Sequence, residues 1–321
     1  MDWPFWVSIP IFLVMPFVCP YTALATNILI YGLFAVGYNL LLGYTGLLSF
    51  GHASFFGLGA YSTGLLLVKL NAPIGLAMIA GILAATLGAI AIGSISLRRR
   101  EVYFAMLTLA FSQVLYFLGL QLKDLTGGDN GLRGIPIIHL PFSIDLFRPL
   151  HTYYFVFVFF ILSAYLVRRL LRSPFGKAMQ AIRENENRAT SCGYDAKTIK
   201  LISFIISGML AGLAGSLYCI HLRFVPLETL YLGTSVEVLF IAIIGGVGTF
   251  WGPVVGSATF LLLNDITSTI MKRWELVVGV IFILFILFLN RGICGLIENR
   301  IASRKQKWAP DIVKQLKRNG P

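Results

Sequence analysis

Glu237 and Asp265 lie inside long apolar runs. A carboxylate in that setting is costly to keep, and its default reading is functional, as an ion or proton relay. Little else in the chain has the spacing of a reactive centre. The four histidines, His52, His139, His151 and His221, are scattered and fall into neither an HExxH nor an HxxxD pattern. A membrane-embedded acyl or glycosyl transferase would need a polar catalytic cluster, which this spacing does not offer. The four cysteines, Cys19, Cys192, Cys219 and Cys294, have neither CxxC nor metal-ligand spacing, so free thiols and no bound metal or cofactor are expected. The run Thr126-Gly127-Gly128-Asp129-Asn130-Gly131-Leu132-Arg133-Gly134-Ile135-Pro136 has the glycines of a phosphate cradle. It lacks the Gly-Lys-Ser/Thr ending and a preceding strand, and reads as a series of turns.

Two segments break the pattern of regular apolar helices. Residues 43–59 carry five glycines, Ser49, Ser54 and His52; residues 245–253 read Gly-Gly-Val-Gly-Thr-Phe-Trp-Gly-Pro. Broken backbone leaves N–H and C=O groups that lipid cannot satisfy, so it must face protein or a polar cavity. A pair of Gly/Pro-interrupted spans in the two halves of a chain points to a transport pathway. At an offset of 200 residues Gly46 matches Gly246, Ser49 faces Thr249 and Phe50 matches Phe250, a trace of an internal repeat. Gly46, Ser49, His52, Gly57, Gly246, Gly248 and Thr249 are therefore candidates for the pathway or its hinges. Close packing through small residues, or a turn at a span end, would explain the glycines equally. For His52 alone, a satisfied structural histidine is the simpler expectation.

These residues must be positioned by membrane helices. The 321-residue chain is 57% hydrophobic and 12% charged, against about 25% in ordinary soluble domains. Mean hydropathy is +0.81. Apolar segments near 3–19, 24–42, 52–68, 74–97, 101–120, 152–168, 200–220, 233–250, 253–270 and 274–290 predict an all-α polytopic protein of about ten crossings. The split within 3–42 rests on Pro16, Pro20 and the Tyr21-Thr22 step, because no charge divides it. The N-terminus lacks a basic region, so residues 1–20 are not read as a cleaved signal.

The 26 Lys and Arg residues all fall between these segments. Nineteen lie in one alternating set of loops, around 98–100, 168–200 and 291–318; seven lie in the other. The richer set is expected to be cytoplasmic, which places both termini inside. The first two segments carry no Lys or Arg, so nine spans with an external N-terminus is the alternative count. The +12 net charge thus follows from membrane topology, not from nucleic-acid binding. The expected organisation is a single transmembrane domain over 1–300, an external loop at 121–151, a cytoplasmic coupling segment at 168–200 and a basic cytoplasmic tail at 301–321.

The coupling segment is patterned like a helical hairpin. Ser173-Pro174 is a strong helix start, with Ser as N-cap and Pro where its missing N–H costs nothing. Phe175, Met179 and Ile182 form one apolar stripe on a basic helix reaching about Glu184. Asn185-Glu186-Asn187 reads as a turn or second cap, and Gly193 as the stop of a short second helix. The stripe is expected to fit a groove on a partner, with basic residues at the rim. A solvated inner loop is the plainer alternative.

Four motifs in order carry a family resemblance: Gly43-Tyr44-Thr45-Gly46-Leu47-Leu48-Ser49-Phe50-Gly51-His52-Ala53; Thr126-Gly127-Gly128-Asp129-Asn130-Gly131-Leu132; Ser173-Pro174-Phe175-Gly176 through Ala181-Ile182-Arg183-Glu184-Asn185-Glu186; and Gly245-Gly246-Val247-Gly248-Thr249. Together they resemble the LivM-type permease of branched-chain amino acid ABC importers, over roughly residues 25–300. The resemblance implies a multi-pass subunit of the bacterial inner membrane that hydrolyses no ATP itself. Its implied partners are a LivH-like second permease, two cytoplasmic ATPase subunits and a periplasmic substrate-binding protein. In such importers a cytoplasmic helix with a Glu-Ala-Ala…Gly pattern docks into the ATPase. Glu186-Asn187-Arg188-Ala189 with Gly193 keeps the Ala-x3-Gly spacing and lacks the downstream Leu-Pro. Ser173, Pro174, Gly176, Ala181, Glu184, Glu186, Ala189 and Gly193 are thus the expected ATPase-coupling residues. Related permeases serve urea, short amides or small organic acids, so the substrate is a branched-chain amino acid or a similar small solute. An ion-coupled secondary transporter working through Glu237 or Asp265 is the rival mechanism.

Overall fold

Each of the ten apolar segments forms a helix, with ends within a few residues of those the sequence suggests. The computed structural model describes residues 3–98, 101–136, 139–140, 144–270, 274–288 and 292–296; the tail expected at 301–321 lies outside them. In order the helices are α1 (Trp3–Val18), α2 (Thr22–Asn39), α3 (His52–Lys69), α4 (Ile74–Ser96), α5 (Glu101–Gln121), α6 (Lys123–Thr126), α7 (Pro149–Arg172), α8 (Pro174–Glu184), α9 (Glu186–Ser191), α10 (Ala196–Leu222), α11 (Leu232–Gly245), α12 (Gly252–Ile270) and α13 (Trp274–Phe288). A two-residue antiparallel pair, β1 (His139–Leu140) and β2 (Ile144–Asp145), sits before α7, with His139 opposite Asp145. Among the described residues, five stretches are long and apolar enough to cross a membrane: 22–45, 74–96, 102–121, 149–172 and 196–222.

α1 passes through Pro10 and Pro16 and ends at Val18; the break before α2 falls at 19–21, where Pro20 sits. The 121–136 region contains the one-turn α6 and a 3-10 turn at Gly128–Asn130. Gly127, Gly128, Gly131 and Gly134 all take positive φ there, the turn chemistry the sequence implies. Leu132 pairs with Val225, tying this loop to the segment after α10.

α2 is the central pillar: 89% of its most apolar window is buried, against 28% for α4 and for α5. α10, α7, α11 and α12 pack around it, and α3 and α4 pack on α10. Small residues make the α3–α4–α10 seam close. A Cβ on Gly59 would stand 2.2 Å from the Gly212 carbonyl oxygen, and one on Gly212 would stand 2.2 Å from the Ala85 Cβ. Buried hydroxyls staple the helices across these seams: Ser207 donates to the Gly37 carbonyl (2.6 Å), Ser257 to Ile28 (3.0 Å) and Thr63 to Ser216 (2.8 Å). Large apolar side chains stand exposed on the outer faces of α4 (Leu76, Ile79, Leu83, Leu87), α5 (Val102, Met106, Val114, Phe117) and α7 (Val158, Leu162, Leu166). Continuous apolar surface of that extent suits lipid, not water, and the protein is a multi-pass membrane protein.

A candidate coupling junction

α2 does not end cleanly. At Asn39 it widens into a π-helical turn, Leu40–Thr45, which closes at Gly46 with φ +80°. Such widened turns recur at functional sites because they swing a side chain out of register. The residue at the changeover is Asn39, and its amide meets the second glycine segment: Nδ2 donates to the Thr249 carbonyl (2.8 Å) and Oδ1 accepts from the Gly248 amide (2.9 Å). One turn on, Gly43 lies so close that a Cβ would stand 2.2 Å from Asn39 Oδ1 and 2.5 Å from the Gly248 nitrogen. On the far side Gly246 and Gly248 both have positive φ, and the Thr249 hydroxyl closes the loop onto the Gly246 carbonyl (2.8 Å). The two segments singled out for their glycines therefore meet in space, at one end of α2.

The third party is α8. Arg183 Nη1 donates to the Gly43 carbonyl. A Cβ on Gly46 would stand 3.1 Å from Arg183 Cγ, and one on Gly248 would stand 2.9 Å from Arg183 Nη1. The arginine stem thus lies over Gly46 while its head sits between Gly43 and Gly248. One side chain of the hairpin touches both glycine segments at once.

The hairpin that carries Arg183 is capped as its sequence suggests. Ser173 Oγ accepts from the Gly176 amide (3.4 Å), Pro174 is the first helical residue, and Asn185 Oδ1 accepts from the Arg188 amide (2.9 Å) to start α9. Gly193 takes φ +90°, and the Tyr194 amide returns to the Ala189 carbonyl (3.2 Å), satisfying the end of α9. Glu186 pairs with Lys200 of α10 (2.7 Å), Ala189 is buried, Ala181 is half-buried and Glu184 is exposed. The apolar stripe is a correction to the sequence reading. Met179 and Ile182 are buried within the chain's own core, against α7, α10 and the π turn, so the stripe is not free to enter a partner's groove. The outward face is polar instead: Lys177, Gln180, Glu184, Asn187, Arg188 and Thr190.

The remaining candidates lie elsewhere. Ser49 is buried in the 46–51 loop; its carbonyl accepts from the Tyr38 hydroxyl (3.1 Å) and its Oγ from the Gly51 amide (3.2 Å). His52 starts α3 and is enclosed on every side, edge-on to Tyr38, Phe55 and Phe204. Its Nε2 lies 2.7 Å from Ser207 Oγ. The Ser207 proton is engaged with the Gly37 carbonyl, so the imidazole donates through Nε2–H. His52 is therefore a packing histidine satisfied at Nε2, while its Nδ1 is buried with no hydrogen-bond partner among the described residues. Gly57 packs against Leu230, where a Cβ would stand 2.3 Å from a methyl carbon. Asp265 accepts from the Tyr21 hydroxyl, bracing α12 against the start of α2. Glu237 is half-buried on α11, away from the junction.

Asn39 and Arg183 carry the junction, and neither was a site candidate from sequence. Asn39 shares the uncharged apolar run 24–42 with one other amide, Asn27, and an amide there is a usable signal once partners are sought for it. In the sequence Arg183 enters only as a loop charge and as part of the 181–186 motif of the family resemblance, with no role of its own.

Comparison with known proteins agrees with this architecture. Residues 21–289 match the family described as branched-chain amino acid transport system / permease component. The chain is 31% identical to the high-affinity branched-chain amino acid transport system permease protein LivM of Escherichia coli K12, over 84% of this chain and 69% of that protein. It is 30% identical to the LivM of Salmonella typhimurium over the same shares. Over 46% of its length it is 29% identical to the autoinducer 2 import system permease protein LsrC of Escherichia coli O9:H4. No solved structure matches. The family match covers the junction, the hairpin and both glycine segments, and the chain belongs to the family of branched-chain amino acid transport permeases.

Proposed function

We propose that this chain is a membrane-spanning subunit of an ATP-driven importer that carries branched-chain amino acids across a bacterial cytoplasmic membrane. The family match over residues 21–289 carries the reading. In it the chain crosses ten times, through α1, α2, α3, α4, α5, α7, α10, α11, α12 and α13. The basic residues support that count: nineteen of 26 fall on the side that holds α8, α9 and the tail. Two ATPase subunits dock on the polar outer face of α8 and α9. A second, LivH-like permease packs alongside, and a binding protein delivers substrate at the opposite face. The chain hydrolyses no ATP itself.

Arg183 supplies the mechanical link. When the ATPase pair closes it displaces α8, and Arg183 bears directly on the Gly43 carbonyl and on Gly248. Those residues end α2 and join α11 to α12, so one displacement biases three spans between two packed arrangements. Gly46, Gly246 and Gly248, already at positive φ, act as the hinges. The test is uptake of labelled leucine by cells with and without the chain. Loss of uptake on deletion is expected, with competition by isoleucine and valine. Unchanged uptake, or competition by urea and amides alone, would overturn the substrate assignment. Uptake that collapses with the proton gradient while ATP is held constant would favour a relay through Glu237 or Asp265.

A further inference from the structure

α1 is held to the bundle mainly through Phe12. The Tyr153 hydroxyl of α7 donates to the Phe12 carbonyl, and the Phe12 ring meets Phe160 edge-on at 5.5 Å. Between α1, α2 and α12 a groove of about 530 Å³ remains. Its walls include Met15 and Val18 of α1, Ile28 of α2, and Val254 and Ala258 of α12. None of the described residues lining it carries a charge, a hydroxyl or an amide. It opens on the outside of the bundle past Ile11 and Val18, which are both exposed. One end of the groove is aromatic and cationic. Trp251 lines it there, with its ring 5.8 Å from Phe12 and 4.9 Å from Phe250. The Arg168 guanidinium stands 5.9 Å from the centre of the Phe250 ring. Arg168 lies in α7 four residues before Arg172, where that helix gives way to the hairpin.

A groove of this volume is the size of a ligand site, not of a packing gap. Its walls decide what enters. A zwitterionic or otherwise polar solute would give up its water for side chains that return no hydrogen bond, at a cost of several kcal/mol. A hydrocarbon chain gives up nothing. The end at Trp251 and Arg168 has the opposite chemistry: an indole of the kind that sits at headgroup level, and a fixed positive charge that suits an anion. Hydrocarbon joined to an anionic group is the chemistry of an acidic phospholipid. We propose that the groove seats one acyl chain of an anionic phospholipid, drawn from the leaflet on the hairpin side, with its phosphate at Arg168. The bound chain completes the contact between α1 and α12. It packs against the residues that follow Thr249, so it sits beside the junction held by Asn39. The proposal goes beyond the importer reading and does not depend on which solute is carried.

The probe is phosphatidylglycerol with a diazirine in one acyl chain, set against phosphatidylcholine with the same chain. Each is added to the full-length protein purified with its co-purifying subunits, and crosslinked peptides are mapped by mass spectrometry. Labelling by the anionic lipid should concentrate on residues 11–19 and 251–258. It should exceed labelling by the zwitterionic lipid about fivefold, the scale of one basic residue at an anionic surface. Ala258→Phe, which fills the groove from a half-buried position, should remove labelling there by both lipids and leave that of the exposed face of α4 unchanged. Arg168→Gln should keep the labelling and lose the preference for the anionic lipid. Co-purification of both variants with the same subunits controls for folding, and the comparison of the two lipids on the wild type needs no variant. Labelling no denser in the groove than on α4, as a partner helix seated there would give, would overturn the proposal. So would equal labelling by the two lipids, or a full anionic preference in Arg168→Gln.

Discussion

Asn39 makes two hydrogen bonds that only an amide side chain supplies together, one as donor to Thr249 and one as acceptor from Gly248. Asn39→Asp keeps the acceptor and loses the donor; Asn39→Leu loses both and leaves two backbone groups unsatisfied. Each stranded group costs about 1–3 kcal/mol, so unfolding temperature in detergent should fall in the order wild type, Asp, Leu. Gly43 tests the same contact from the other side. Gly43→Ala drives a methyl into Asn39 and Gly248 and should destabilise by about 1–3 kcal/mol. Gly75→Ala, with nothing within 4 Å of the added carbon, should be neutral or mildly stabilising. Equal effects at the two glycines would show that the close approach at Gly43 does not exist. None of this was legible beforehand, because sequence reports that a glycine is present but not which atom it admits.

At the scale of elements, much more was legible. Ser173-Pro174, Asn185 and Gly193 are local signals, set by hydrogen bonds within a few residues, and each does locally what its type suggests. The stripe of Phe175, Met179 and Ile182 was legible as a stripe, but its partner was not: periodicity states that a face is buried, never against what. Gly193 is needed for its backbone and not for space, since φ is +90° and nothing lies within 4 Å of a Cβ. Gly193→Asn should therefore support uptake nearer to wild type than Gly193→Val, and Gly193→Arg should abolish it with membrane insertion intact. Normal uptake by the Val and Arg variants would remove Gly193 from the coupling account. Asp195 caps α10 through the amides of Lys197 and Thr198, and hydrogen bonds from the Thr198 hydroxyl and amide hold its carboxyl below the usual carboxylate range. A lowered folded value means this contribution is fully present above the unfolded value, about 3.9, and is lost as pH falls through the folded one. Hydrogen exchange in the first turn of α10 should rise on acidification in the wild type. Asp195→Asn, which still caps, should flatten that response.

The whole molecule is a bundle gathered on α2, with a polar hairpin applied to one of its ends. The helix plan came through from hydropathy alone because each long helix is apolar over most of its length. The junction did not, because it joins Asn39 to Gly248 and Arg183 to Gly43 across separations of 209 and 140 residues. That geometry makes the central claim a mechanical one: energy released on the ATPase reaches the spans through Arg183. Reconstituted importer should show it in the number of leucine molecules taken up per ATP hydrolysed. The account predicts that Arg183→Ala continues to hydrolyse ATP while that ratio falls at least ~tenfold, a loss of about 1.4 kcal/mol or more in coupling, with Arg183→Lys in between. An Arg183→Ala importer that moves as much leucine per ATP as the wild type would contradict it.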